Sequence, residues 1–259
     1  MYVRLKHTLS ALALEAVRRR ARSAPRAAVG WLLAFCDLAA EKGATEKSAA
    51  ERSAAERNAD AAFDLPFSAV AARARRHGGG RTGGLTWILQ SGLLEKQNGT
   101  LSLPAGFHPH FSYMHRQVHR LASALRALAA TPRPRGGKHA IIHKGTALFN
   151  AGLFFECHEF FEDVWRAAPP PARAFHQGVI LVAAAFYHYE KGNLHGARIK
   201  LAQGIKRLEP YLPAAHGVRL DRWLAALAPW RSRIEAGVVT GVLTPSEIPR
   251  IPLARDAGS

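Results

Sequence analysis

The segment from Arg173 to Lys191 constrains the fold of this chain more than any other feature of its sequence. It is more apolar on all sides than any other helix-forming segment, so other elements must surround it. Gly192 and Asn193 follow at once and predict a two-residue corner, with Asn193 as the cap of a helix from Leu194 to Tyr211 that runs back along the first. The sequence therefore predicts an antiparallel helical bundle over residues 138–236.

The preceding helix, predicted from Ala147 to Arg166 with Thr146 as its cap, has an apolar and aromatic face that two ionisable residues interrupt. His158 and Glu162 lie four residues apart on that face, so the sequence predicts a buried pair. An unsatisfied buried polar group costs about 1–3 kcal/mol, and a buried charge costs more. We expect the pair to be satisfied by its own contact and by Arg166, Gln177 and His188.

The residues around this pair resemble a known family. The run HEFFEDVWR, residues 158–166, contains the HxxxExxW pattern of the bacterial and archaeal domain of unknown function 309 family, and residues 149–156 agree with it. Residues 177–180 and 188–197 are similar to the second helix and corner of that family. The resemblance implies a small helical bundle and no activity, because the family has no established one. The candidate site residues that follow are His158, Glu159, Glu162, Trp165, Gln177, His188 and Asn193.

Three interpretations of this candidate site are open, and they leave the catalytic residues and the enzymatic status undefined. In the first, a satisfied buried network fixes the register of the helices without chemistry. In the second, the site holds a divalent metal through His158, Glu162 and His188, or performs acid/base catalysis. The order of residues lacks the second histidine of a zinc-protease motif, and one helix alone carries the carboxylates. In the third, the chain is a regulatory or adaptor protein whose bundle binds a ligand or forms a homo-oligomer.

The sequence of the N-terminal half predicts helices and one small module of helices and strands, so the predicted fold class of the chain is mainly α. Residues 1–41 predict two helices, and residues 42–64 predict a mobile or solvated insertion rich in Ala, Glu and Arg. Residues 65–104 predict two helices and a hairpin around Asn98-Gly99. This order of helix, turn, helix and hairpin resembles a winged helix, with the helix from Pro25 to Glu41 as its first helix.

The charge of the chain is concentrated in its N-terminal half. Residues 1–140 contain 22 Lys and Arg against 9 Asp and Glu, whereas residues 141–259 contain 14 against 10. A basic surface attracts phosphate backbones without reading their sequence, and four arginines lie within the module: Arg73, Arg75, Arg76 and Arg81. The helix from Leu85 to Ser91 offers few base-reading side chains, so sequence-specific readout is not predicted. A GC-rich coding background also favours arginine, and winged helices serve as dimerisation or docking modules, so a protein partner remains an alternative.

Residues 105–137 predict a connecting helix and a Pro/Arg/Gly linker, followed later by an extended tail over residues 237–259. The connecting helix region carries four histidines, at His108, His110, His115 and His119. The last two lie four residues apart and share a face, as metal ligands do. Because no carboxylate or cysteine stands near them in the sequence, we interpret them as a polar helix face.

The remaining composition favours a cytoplasmic protein with no membrane contact. No run of eighteen apolar residues is present, and the arginines at residues 18–20 interrupt the apolar stretch that a signal peptide needs. Cys36 and Cys157 lie far apart in apolar helical contexts, which predicts buried thiols rather than a disulfide.

Overall fold

The computed structural model describes residues 1–19, 23–50, 63–80, 83–131, 137–239 and 241–253. Within these ranges the protein is mainly α-helical, as predicted, with ten α-helices and one small sheet. The chain divides into two compact units, an N-terminal unit from Met1 to Leu125 and a C-terminal unit from Arg126 to Ser259.

The N-terminal unit begins with two helices and continues into a small mixed module. Its elements, in chain order, are α1 (Tyr2–Arg18), α2 (Ala24–Ala50), β1 (Asp64–Pro66), α3 (Phe67–Arg76), α4 (Gly84–Ser91), β2 (Glu95–Gln97), β3 (Thr100–Ser102) and the beginning of α5 (Phe111–Ala130). A short 3-10 turn, Ala105–His110, precedes α5. The strands form an antiparallel sheet in the order β1-β3-β2.

The hairpin lies where the sequence predicts it, because Asn98 and Gly99 both adopt positive φ, of 45° and 76°. Two other elements differ from prediction. Helix α2 continues to Ala50 rather than ending at Glu41, since the Ala-, Glu- and Lys-rich residues that follow contain no proline, and their one glycine, Gly43, costs only about 1 kcal/mol. Strand β1 was not predicted, because it has only three residues and buries one of them, Leu65. The rest of the predicted insertion, residues 51–62, lies outside the described ranges.

The glycine run at residues 78–80 does more than end α3. An added Cβ on Gly30 of α2 would lie 2.6 Å from the Gly79 amide nitrogen and 2.6 Å from the His77 carbonyl oxygen. Only residues without side chains permit so close an approach of two backbones. The turn after α3 therefore rests directly on α2.

The C-terminal unit is a bundle of helices. It contains α6 (Gly137–Asn150), α7 (Phe154–Ala167), α8 (Pro170–Glu190), α9 (Leu194–Leu208) and α10 (Leu220–Glu235). The single helix predicted from Ala147 to Arg166 is wrong, because Gly152, with a φ of 78°, separates α6 from α7. Thr146 is not a cap but lies inside α6, where its hydroxyl donates to the carbonyl oxygens of Ile142 and His143.

Helices α8 and α9 fold back on each other around the corner that the sequence predicts. Asn193 caps α9, since its side-chain Oδ1 accepts a 2.8 Å hydrogen bond from the Gly196 amide. Two glycines bring the helices close: an added Cβ would lie 2.7 Å from Leu208 Cγ at Gly178, and 2.8 Å from Val182 Cγ2 at Gly204. The apolar character of α8 on nearly every side reflects this position in the bundle.

The described part of the tail after α10 forms no helix or strand, turns at Thr244–Glu247, and lies against the helices of its own unit. It buries Leu243, Ile248 and Ile251. Two hydrogen bonds join Asn150 to Ile251. Asn150 Oδ1 accepts from the Ile251 amide at 2.7 Å, and Asn150 Nδ2 donates to the Ile251 carbonyl oxygen at 3.1 Å. Trp223 donates a further 3.1 Å bond to the Pro249 carbonyl oxygen. The tail is therefore an integral layer of this unit up to Leu253.

Two general expectations can be checked in the described residues. No described helix is long and apolar enough to cross a membrane. Cys36 and Cys157 are both buried and free, and burial raises the pKa of each thiol far above its usual range. Both thiols are therefore protonated and poorly reactive in the folded protein.

Candidate functional site

Three candidate residues lie together on the outer part of α7, and we call them the α7 cluster: His158, Glu159 and Glu162. His158 Nδ1 lies 3.2 Å from Glu159 Oε1, and His158 Nε2 lies 3.7 Å from Glu162 Oε1. Each residue presents one potential ligand atom within 4.8 Å of the other two. The cluster therefore has donors of the kind that a divalent metal takes, all from one helix.

Arg166 lies next to the α7 cluster, one turn after Glu162. Its guanidinium donates 2.9 Å to Glu162 Oε2 and 3.0 Å to Asp163 Oδ1. The i,i+4 pairing of Glu162 with Arg166 agrees with the sequence prediction. Because Arg166 is about two-thirds exposed, this ion pair contributes little to stability.

The predicted burial of the pair is wrong. The side chains of His158 and Glu162 are 27% and 33% exposed, whereas Cys157 and Phe160 are buried. The inward face of α7 is thus rotated by about one residue from the predicted one. Aromatic residues on both sides of the true face made the stripe look wider than it is, and the spacing of Leu153, Cys157 and Phe160 was the signal that locates its centre.

Other ionisable residues occupy the interior of this unit instead. Glu156, His143 and His176 are only 2%, 8% and 7% exposed. His176 stacks on the Phe161 ring at 6.0 Å, and its Nδ1 has no hydrogen-bond partner among the described residues. Burial, with a smaller contribution from neighbouring His216, lowers the pKa of His176 to about 4. Sequence periodicity alone did not distinguish these buried positions.

His188 on α8 has a defined tautomer. The Asn193 side-chain oxygen Oδ1 accepts a hydrogen bond from the Gly196 amide. The Asn193 nitrogen Nδ2 therefore faces His188 Nδ1, at 3.2 Å, and donates a hydrogen bond to that ring nitrogen. An accepting Nδ1 places the ring proton on Nε2. Burial lowers the pKa of His188, and electrostatic repulsion from the neighbouring Lys200 and His158 lowers it further. His188 is therefore a neutral imidazole oriented by the cap of α9.

Gln177 and Trp165 do not join the cluster as predicted. Within the described residues, no hydrogen bond links Gln177 to His158 or Glu162. Trp165 instead lies 5.7 Å from the guanidinium of Arg173 on α8. Arg173 also donates to the carbonyl oxygens of Arg166 and Ala168, which α7 leaves unpaired at its end. Trp165 thus belongs to the junction between α7 and α8.

The predicted phosphate-binding arginines differ in their surroundings. Arg73 donates 3.1 Å from Nη2 to Glu41 Oε2 on α2, and that hydrogen bond lowers the pKa of the Glu41 carboxyl. Arg75 and Arg76 are exposed at the end of α3. Arg81 lies outside the described residues. Arg73 is therefore engaged in packing α3 on α2, and Arg75 and Arg76 face solvent.

The C-terminal unit is thus a compact all-helical domain with a polar cluster at the surface of α7. The family described as domain of unknown function (DUF309) matches residues 142–199, which run from the middle of α6 through α7 and α8 into the start of α9. The family resemblance stated from the HxxxExxW pattern is confirmed.

A curated protein is similar to part of this chain. Uncharacterized protein YpuF of Bacillus subtilis (strain 168) is 36% identical over 69 residues, which are 26% of this chain and 40% of the relative. The chain thus covers less than half the length of that relative. No solved structure matches the chain. These comparisons assign no function to the chain, as expected from its resemblance to a family without an established activity.

Proposed function

We propose that the protein is a non-catalytic regulatory or adaptor protein whose N-terminal unit binds nucleic acid through a winged-helix-like module, residues 24–104. The observation that carries the proposal is the strand order β1-β3-β2 around the two helices α3 and α4. With α2 as the first helix, the element order becomes helix, strand, helix, helix, strand, strand. That order and sheet arrangement are typical of winged helices, in which the β2–β3 hairpin is the wing.

Charge favours nucleic acid over a protein partner for this module. The whole module contains 10 Lys and Arg against 8 Asp and Glu, but residues 65–104, which include α3, α4 and the hairpin, contain 5 against 1. Arg75 and Arg76 are exposed at the end of α3, and Lys96 is exposed on the wing strand, where its ammonium lies 3.9 Å from the centroid of the Phe67 ring. Exposed guanidinium and ammonium groups bind phosphates by charge and carry no base preference.

The helix in the recognition position supports binding without sequence readout. The exposed side chains of α4 include Thr86 and Gln90, and no Arg or Lys lies within that helix. Base-specific binding draws mostly on Arg, Lys, Asn and Gln in the major groove. We therefore infer backbone-directed binding of low sequence specificity.

The experiment compares binding of the full chain to arbitrary duplex DNA for wild type and the double variant Arg75→Glu/Arg76→Glu, by fluorescence anisotropy at fixed salt. We expect at least about a tenfold loss of affinity, equal for unrelated duplex sequences, because phosphate contacts are lost. The matched control is Arg198→Glu/Arg207→Glu, which makes the same charge change at exposed positions of α9. Equal losses in both variants, or no loss in the first, would remove the module from the proposal. Absent binding by wild type would favour protein docking or dimerisation instead.

A second candidate function is divalent-metal binding at the α7 cluster, favoured by the three ligand atoms that lie within 4.8 Å of one another. It is the weaker of the two, because Arg166 already neutralises Glu162 and all three ligands come from one helix. Elemental analysis of untagged protein after reconstitution tests it. A metal that is present in stoichiometric amount in wild type and lost in His158→Ala would support this function.

The same proposal includes a cytoplasmic location. Two free, buried cysteines support it, because a reducing compartment keeps such thiols from forming disulfides.

A further inference from the structure

Three helices of the N-terminal unit bring one carboxylate and three imidazoles to one place. Asp37 lies on α2, His77 directly follows α3, and His115 and His119 lie one turn apart on α5. Asp37 Oδ1 is 2.8 Å from His119 Nε2, and Asp37 Oδ2 is 3.7 Å from His77 Nε2. The rings of His115 and His119 have centroids 4.4 Å apart. We call these four residues the Asp37 cluster.

The distances suit a small metal ion. Asp37, His115 and His119 each present one ligand atom within 4.8 Å of the other two. Zinc–ligand bonds of about 2.0–2.2 Å in a tetrahedral site place ligand atoms about 3.3 Å apart. Side-chain movements that shift each ligand atom by about 1 Å therefore suffice to bring the three atoms to the spacing that a bound ion requires. His77 Nε2, which lies next to Asp37 Oδ2, can supply the fourth ligand of a tetrahedral site.

The chemistry of the donors also suits such an ion. Imidazole nitrogens with one carboxylate oxygen are typical zinc ligands. The Asp37 side chain is only 22% exposed, so it is already partly desolvated.

The origin of the ligands distinguishes this cluster from the α7 cluster. Asp37 and His119 are 82 positions apart in the sequence, and His77 comes from the turn that follows α3. A metal here would cross-link α2, α5 and the turn that follows α3. No carboxylate stands near His115 and His119 in the sequence, and the fold brings one to them, Asp37 from α2.

We propose that Asp37, His77, His115 and His119 form a binding site for a divalent metal of the zinc class, which holds α5 against α2 and α3. The site does not depend on the proposed nucleic-acid function, since its residues bind the metal without DNA.

The test uses the full chain without a histidine tag, stripped with a chelator and titrated with Zn²⁺ against a chromophoric competitor. We expect wild type to bind one zinc per chain at the cluster. His119→Ala and Asp37→Asn should each weaken that binding at least about 100-fold, since loss of a direct ligand exceeds the 10–100-fold loss typical for its supporting groups. His158→Ala in the α7 cluster and His195→Ala at an exposed position of α9 are controls that should keep it.

Thermal unfolding provides a second readout that a misfolded variant cannot imitate. Saturating zinc should raise the Tm of wild type, because an ion that binds only the folded state stabilises it. It should leave the Tm of Asp37→Asn unchanged, and this nearly isosteric variant can be checked for folding by its circular dichroism in the chelator. Three results would overturn the proposal: no stoichiometric zinc in wild type, binding that persists in both cluster variants, or loss confined to His158→Ala.

Discussion

Lowering the pH from 7.5 to 5 should destabilise the protein through His176. This imidazole is buried against Phe161, and its pKa falls from an ordinary 6.5 to about 4 in the folded state. Between those values the unfolded chain binds a proton that the folded chain excludes, so stability is full above pH 6.5 and is lost as the pH falls. For these two pKa values the loss at pH 5 is about 2 kcal/mol.

The measurement is urea unfolding of wild type and His176→Leu at both pH values. Leucine has a similar volume, does not titrate and leaves no buried Nδ1 without a partner, so the variant should be close to wild type at pH 7.5. At pH 5 the variant should be the more stable by about 2 kcal/mol, whatever the other histidines contribute. A stability difference that is the same at both pH values would refute the pKa that burial imposes on His176.

Three further substitutions test the packing of the C-terminal unit. Gly204→Ala should destabilise by about 1–3 kcal/mol in urea unfolding, because its Cβ would lie 3.0 Å from the backbone nitrogen of Val182, whereas Gly137→Ala, with nothing within 4 Å, should not destabilise. Asn150→Ala should cost about 1–2 kcal/mol and accelerate hydrogen exchange at the Ile251 amide; unchanged exchange would contradict the docking of the tail. Glu162→Ala should cost less than about 1 kcal/mol, and a loss above about 2 kcal/mol would show that the α7 cluster is structural after all.

The sequence predicts best those features that local chemistry determines. The Asn98-Gly99 hairpin and the Gly192-Asn193 corner are present as predicted, because positive φ and side-chain capping leave few alternatives there. The break at Gly152 was missed, since a glycine inside a helix-forming run costs only about 1 kcal/mol and does not by itself end a helix.

The candidate sites depend on features that the sequence reports less well. The buried face of α7 differs by about one residue from the predicted face, so His158 and Glu162 are partly exposed rather than buried. The wide aromatic stripe of this helix made the two faces hard to distinguish from the sequence. The contact of Asp37 with His119 joins positions on two helices far apart in the chain, so no local pattern could contain it. Periodicity predicts which face of a helix is apolar, but not which partner covers it.

The central claim is that the N-terminal module binds nucleic acid through phosphate contacts. The most direct measurement is the affinity of the full chain for an arbitrary duplex at a series of salt concentrations, for wild type and Arg75→Glu/Arg76→Glu. The account predicts a linear fall of log K with log salt in wild type, and a slope smaller by about 1.8 in the variant, for two lost contacts of about 0.9 each. A wild-type affinity that does not change with salt, or a slope identical in the two proteins, would contradict it.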